Sequence, residues 1–192
     1  MIAGVNGITE NTTKNILFGA GTIHKGLKYT EGTGWNYAES CIGATSGGSK
    51  LSIVPEIYDV PVDGPVVLVK NLRKKIGEKA SLEVNLIELS TDIIVAAAMA
   101  ELGTSDVDTH DMITSKADID DADYWENIAF VGETLDGRNV IAILENALCT
   151  SGFEQEGKNK ESGVGKYTFE CHADADTDMD KLPWKIYYPT AA

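Results

Sequence analysis

The chain has 192 residues, enough for one domain that buries roughly 70% of its unfolded surface and needs neither disulfide nor metal to fold. Thirty acidic residues against sixteen basic ones give a formal charge of −14, which argues against gripping phosphates, because nucleic-acid binders neutralise them with Lys and Arg. Three widely spaced cysteines, Cys41, Cys149 and Cys171, suit neither a secreted disulfide framework nor a zinc site of paired cysteines, and the longest apolar run, residues 93–100, falls short of the roughly 20 residues that span a bilayer.

Residues 1–14 are polar and Gly-bearing and predict an arm without a core face; no basic region precedes an apolar stretch there, so no signal peptide is expected. Residues 15–20 predict a short strand. Residues 26–49 are rich in Gly, Thr and Ser, with Trp35 and Tyr37 among their few large side chains, and read as a loop long enough to be functional or ordered by a partner. Pro55 removes a ladder donor, so the strand over residues 51–60 belongs at a sheet edge or carries a bulge. Asp63-Gly64 signals a turn, and residues 66–69 read as strand leading into the basic cluster Lys70, Arg73, Lys74 and Lys75. Residues 81–89 alternate, with Leu82, Val84 and Leu86 on one face, as a half-buried strand does.

Ser90 or Thr91 caps a helix over about residues 91–102, apolar all round, with Gly103 as its stop. Residues 104–126 carry eight carboxylates against Lys116 and read as a solvated loop. Residues 127–134 pair through the turn Asp136-Gly137 with residues 139–149, whose β-branched run is apolar on both faces and reads as strand. A polar excursion over residues 152–165 precedes a strand over residues 166–173 with Tyr167, Phe169 and Cys171 on one face, and Trp184, Ile186 and Tyr188 share one side of a last strand. These elements make a mainly β protein: a β-sandwich or partly closed barrel with one flanking helix and long loops, in a single domain over residues 15–192.

No segment carries a complete catalytic or cofactor motif. In residues 43–50, GATSGGSK, Ser49 falls where a phosphate-cradling loop needs lysine, and Gly19-Ala20-Gly21 lacks the third glycine of a dinucleotide loop. Asp174, Asp176, Asp178 and Asp180 recur at every second position, but Met179 and Lys185 stand where a calcium loop needs Gly and Glu; Asp118, Asp120 and Asp123 fail in the same way at Ala129. His24, His110 and His172 have no metal spacing, and Cys171 and His172, adjacent on a strand, point to opposite faces and form no thiolate–imidazole pair. The expectation is no catalytic residue, no cofactor and no metal.

Four stretches in order, GATSGG (43–48), VDGPVVLVKN (62–71), SLEVNLIELSTDIIVAAAM (81–99) and YTFECHAD (167–174), with a closing PWKIYYP (183–189), resemble the major tail tube proteins of long-tailed bacteriophages. Asn71 stands where that family's lysine-glycine turn has its glycine. The resemblance implies a non-enzymatic virion protein, made in the bacterial cytoplasm, whose copies close into rings of six that stack into a hollow tail. It also implies tape measure and tail-end proteins as partners, DNA passing without specific binding, and no membrane. Lys70, Arg73, Lys74 and Lys75 are then candidates for contact with a neighbour's Asp118, Asp120 and Asp121. The rival readings are a carbohydrate- or peptide-binding β-sandwich using Trp35, Tyr37, Trp125 and Trp184, a metal-dependent hydrolase using the aspartate-rich loops, and the tube subunit of a contractile tail.

Overall fold

A computed structural model of the chain describes residues 7–157, 159–176 and 178–190. The elements are α1 (Thr12–Asn15), β1 (Leu17–His24), β2 (Tyr29–Thr30), β3 (Gly34–Trp35), α2 (Tyr37–Ser40), β4 (Thr45–Asp59), β5 (Arg73–Leu86), α3 (Thr91–Ala98), β6 (Ala100–Gly103) and β7 (Met112–Ser115). A 3-10 turn (Asp121–Asp123) follows, then β8 (Trp125–Thr134), β9 (Asn139–Cys149), β10 (Gly165–Cys171) and β11 (Trp184–Tyr187). Among the described residues these strands make one seven-stranded sheet in the order β1-β8-β9-β10-β5-β4, with β11 added on β9, and two small hairpin sheets, β2-β3 and β6-β7. The protein is mainly β and sandwich-like. β1 and β4, the two ends of the path, approach each other without pairing, so the sheet curls but does not close into a barrel.

β9 is central because its sequence is apolar on both faces. One edge pairs with β8 along most of its length; the other is shared by β11 at Ile141 to Leu144 and β10 at Ala147 to Cys149. On one side Leu144, Ala147 and Cys149 join Leu82, Val84, Leu86, Tyr167 and Phe169 in the main core, which Ile93, Ala96 and Ala97 of α3 cover. On the other side Ile141 and Ile143 pack with Leu27 and Ala129, beneath Trp35 and Tyr37. The alternation read in residues 81–86 and at Tyr167, Phe169 and Cys171 is the observed burial of β5 and β10. The turn at Asp136-Gly137 is present, with Gly137 at φ 84° donating its backbone N–H to the Thr134 carbonyl.

Several expectations are corrected. The helix is Thr91–Ala98 and ends at Met99, which takes the left-handed conformation (φ 48°) and donates its N–H to the carbonyls of Val95 and Ala96. Ala100 to Gly103 are lost to the helix because they pair with Met112 to Ser115, a non-local partner that local propensity does not register. The 104–126 segment therefore holds β7, a capped 3-10 turn and the start of β8 rather than only solvated loop. Residues 26–49 are likewise not all loop: β2-β3 and α2 cover the second core, and β4 begins at Thr45, so GATSGGSK lies largely in a strand with a register shift between Thr45 and Ser49. Gly19 and Gly21 sit inside β1 at another shift, between Phe18 and Thr22. Residues 66–69 are not strand; they form an exposed tip between β4 and β5.

Of the expected polar arm, residues 1–6 lie outside the described residues, and Thr12–Asn15 form one helical turn. In the Asp174 to Asp180 run, Thr177 is also outside them. Asp174 and Asp178 accept backbone N–H bonds from Asp176 and Asp180, and Asp178 pairs with Lys181 at 3.0 Å. Among the described residues, no group of three metal-ligating side chains converges.

Candidate assembly interface

β4 is an edge strand, as Pro55 requires, with a second register shift between Glu56 and Ile57. Its partner β5 is flanked by β10 only from Ser81 to Leu86. From Ala80 back to Arg73, β5 has β4 as its one hydrogen-bonded neighbour among the described residues, so the two strands leave the sheet as a two-stranded ribbon. Seven paired positions, Ile53 to Asp59 against Ala80 to Arg73, at about 3.3 Å each make a projection of roughly 23 Å. The ribbon's base is anchored: Leu51 and Ile53 pack on the core with Leu182 and Trp184, and the Trp184 indole N–H donates to Glu78 Oε1 at 2.7 Å. Hydrogen bonds from Lys75 and then Trp184 hold the Glu78 carboxyl below its ordinary range.

Beyond the base the ribbon is apolar and exposed at Val54, Ile57, Tyr58 and Ile76. Its tip is more so, with Val66 98%, Val67 73% and Leu68 72% exposed. The tip is a defined turn, closed by Val60 N–H to the Leu72 carbonyl at 2.8 Å and by Leu72 N–H to the Val69 carbonyl at 3.2 Å. Asn71 takes φ 72°, a backbone that glycine adopts at no cost and asparagine better than most side chains. Solvated side chains on a free two-stranded ribbon bury too little to hold it alone, and exposed apolar patches of this kind mark interaction surfaces.

The predicted contact residues divide. Arg73 pairs with Asp59 of its own ribbon at 2.5 Å, and Lys75 is paired with Glu78. Lys70 and Lys74 are exposed and make no ion pair among the described residues. On the acidic side, Asp120 is drawn to Lys116, which also pairs with the buried Asp123 at 2.5 Å. Asp120 and Asp123 form a reciprocal cap over the 3-10 turn, and the Lys116 hydrogen bond keeps the Asp120 carboxyl below its ordinary range. Asp118 and Asp121 remain exposed without an ion pair among the described residues.

The four proposed recognition aromatics also separate. Trp125 is buried beside Phe169 at 5.0 Å between ring centroids, and Trp184 braces the ribbon. Trp35 and Tyr37 line an open cavity of about 450 Å³ with Tyr29, Ile141, Tyr187 and Tyr188. Trp35 meets Tyr29 and Tyr187 edge to face at 5.4 and 5.1 Å. Sequence reasoning missed Tyr29 and Tyr187, because the β2-β3 hairpin and β11 are far apart in the chain and meet only once β11 has docked on β9. Cys171 and His172 diverge: the thiol lies 3.7 Å from the Pro183 carbonyl and burial pushes it up to about 11, while His172 Nδ1 bonds the Glu170 carbonyl.

His24, which has no metal spacing in the sequence, is buried. Its Nδ1 lies 2.9 Å from Ser40 Oγ, whose hydroxyl donates to the Asn36 carbonyl, so the ring donates from Nδ1 and accepts at Nε2 from Thr22 Oγ1. That chain of bonds fits a neutral ring, and burial lowers the His24 pKa accordingly.

No family model matches this chain, and no curated protein matches it.

Proposed function

We propose that the chain is a structural, non-enzymatic subunit that assembles with copies of itself into stacked rings, six to a ring, forming a hollow phage tail tube through which DNA is delivered. The observation that carries this reading is the β4-β5 ribbon, paired on one side only and ending in an exposed apolar tip. In a lone molecule such a ribbon is marginally stable and invites aggregation; between copies its edges accept another strand and its tip is covered. The −14 charge suits a conduit, since carboxylates lining a bore repel phosphates over about 8 Å at physiological salt and let a duplex slide. Its partners are then other copies of itself, a tape measure protein and the tail-end proteins of a virion. Negative-stain microscopy of concentrated protein tests the reading: rings or hollow tubes support it, and uniform monomers at every concentration contradict it.

A second reading is favoured by the aromatic cavity at Tyr29, Trp35 and Tyr187: a ligand-binding module for carbohydrate or peptide. Aromatic faces ringed by hydroxyls suit stacking of a sugar ring. Saturable quenching of tryptophan fluorescence by a glycan, in protein that stays monomeric, supports this reading over the first. A contractile-tail tube subunit shares the assembly physics, and a sheath gene beside this one distinguishes it.

A further inference from the structure

We infer that the ribbon tip of one copy seats on the acidic region around β6-β7 of the next, a head-to-tail contact between two different surfaces of the same chain. The inference rests on the self-assembly reading and names its contact.

The two surfaces complement each other in polarity and in charge. At the tip, the apolar Val66, Val67 and Leu68 are followed by Lys70, and Lys74 stands opposite Tyr58 on the ribbon behind them. In the acidic region, Ile119 (50% exposed) follows Asp118 with Asp121 close behind, just past the end of β7, and at the other end of the β6-β7 hairpin Val107 (48% exposed) lies between Asp106 and Asp108 in its loop. Neither half is matched within the chain: among the described residues the two lysines and these four aspartates make no ion pair, whereas the neighbouring Arg73, Lys75 and Asp120 do. On a molecule of net charge −14, the tip sets a base that is unpaired among the described residues beside exposed apolar groups, so another acidic copy is attracted there rather than repelled. The apolar groups supply affinity and the charges supply register, because exposed ion pairs alone contribute little. A contact between unlike surfaces leaves each copy with one donor and one acceptor face, which closes into a ring or extends into a filament.

Salt dependence is ambiguous here, because salt screens the overall repulsion between copies as well as the local attraction. Charge exchange is not. Lys70→Glu with Lys74→Glu is expected to raise the concentration at which assemblies appear about ten-fold or more, and so is Asp118→Lys with Asp121→Lys. The quadruple variant carrying both exchanges is expected to recover assembly, and so is a mixture of the two doubles, in which each lysine-bearing acidic region meets a glutamate-bearing tip. In a Cys41→Ser background, mixing Leu68→Cys protein with Ile119→Cys protein is expected to give a mixed disulfide dimer under oxidation. All these residues are exposed, so an unchanged melting temperature certifies that each variant is folded. Tubes that form normally with both doubles, or without the mixed disulfide, overturn this contact while leaving self-assembly standing. Native protein that stays monomeric at every concentration, as it does if the tip seats on a different protein, overturns both.

Discussion

Asn71 carries a turn that glycine ordinarily makes, and its φ of 72° makes the position a direct probe of the tip's geometry. Asn71→Gly is expected to fold normally, whereas Asn71→Val, β-branched and forced to positive φ, is expected to cost about 1–2 kcal/mol in chemical denaturation. The departure from glycine was visible in the sequence; the backbone that tolerates it was not, because residues 66–69 look like a continuing strand until the tip turn is seen. His24 offers a second probe. Its folded pKa is lowered by burial, so the unfolded chain takes up a proton first as pH falls through about 6.5, and stability declines from there toward the lower folded pKa. The denaturation midpoint is expected to fall between pH 7.5 and 5.5, and to fall less in His24→Gln. The lowered carboxyls of Glu78, Asp120, Asp136 and Asp178 lose their contribution only at more acid pH, as it drops through their own depressed values, which leaves this window to the imidazole. An equal slope in the variant contradicts the neutral buried ring.

At the scale of the element, what could be read in advance was whatever the chain encodes locally. The alternation in β5 and β10, the hairpin turn between β8 and β9 and the edge position of β4 all follow from short-range pattern and from Pro55. The end of α3 does not, since Met99 stops the helix so that Ala100 to Gly103 can pair with Ser115 to Met112 across an intervening loop. The aromatic cavity was half legible, through Trp35 and Tyr37, while its other wall depends on where β11 docks. Similarly, the basic cluster was read as one unit, but only the structure divides it into paired Arg73 and Lys75 and, among the described residues, unpaired Lys70 and Lys74. β10 and the ribbon tip are expected to respond oppositely to truncation. Phe169, fully buried on the strand that joins β5 to β9, is expected to cost about 3–5 kcal/mol on change to alanine, whereas Val67→Ser is expected to stay within about 0.5 kcal/mol. A large thermal effect at Val67 means that the tip is already packed within its own chain.

For the whole molecule, the sheet and its two cores make a self-sufficient body, and beyond its base the ribbon is hydrogen-bonded as a strand to no other element among the described residues. The body supplies most of the folding stability, the tip turn only a small share of it, and the ribbon sets what the chain does with its neighbours. The central claim is that the ribbon finds its cover on sister copies. Its most direct test is the mass in solution, across a concentration series, of the native chain and of a chain whose residues 62–69 are replaced by a Gly-Ser linker. The account predicts ring-sized or larger species for the native chain and a folded monomer for the replacement. A native chain that stays monomeric throughout, or a replacement that assembles as readily as the native chain, contradicts it.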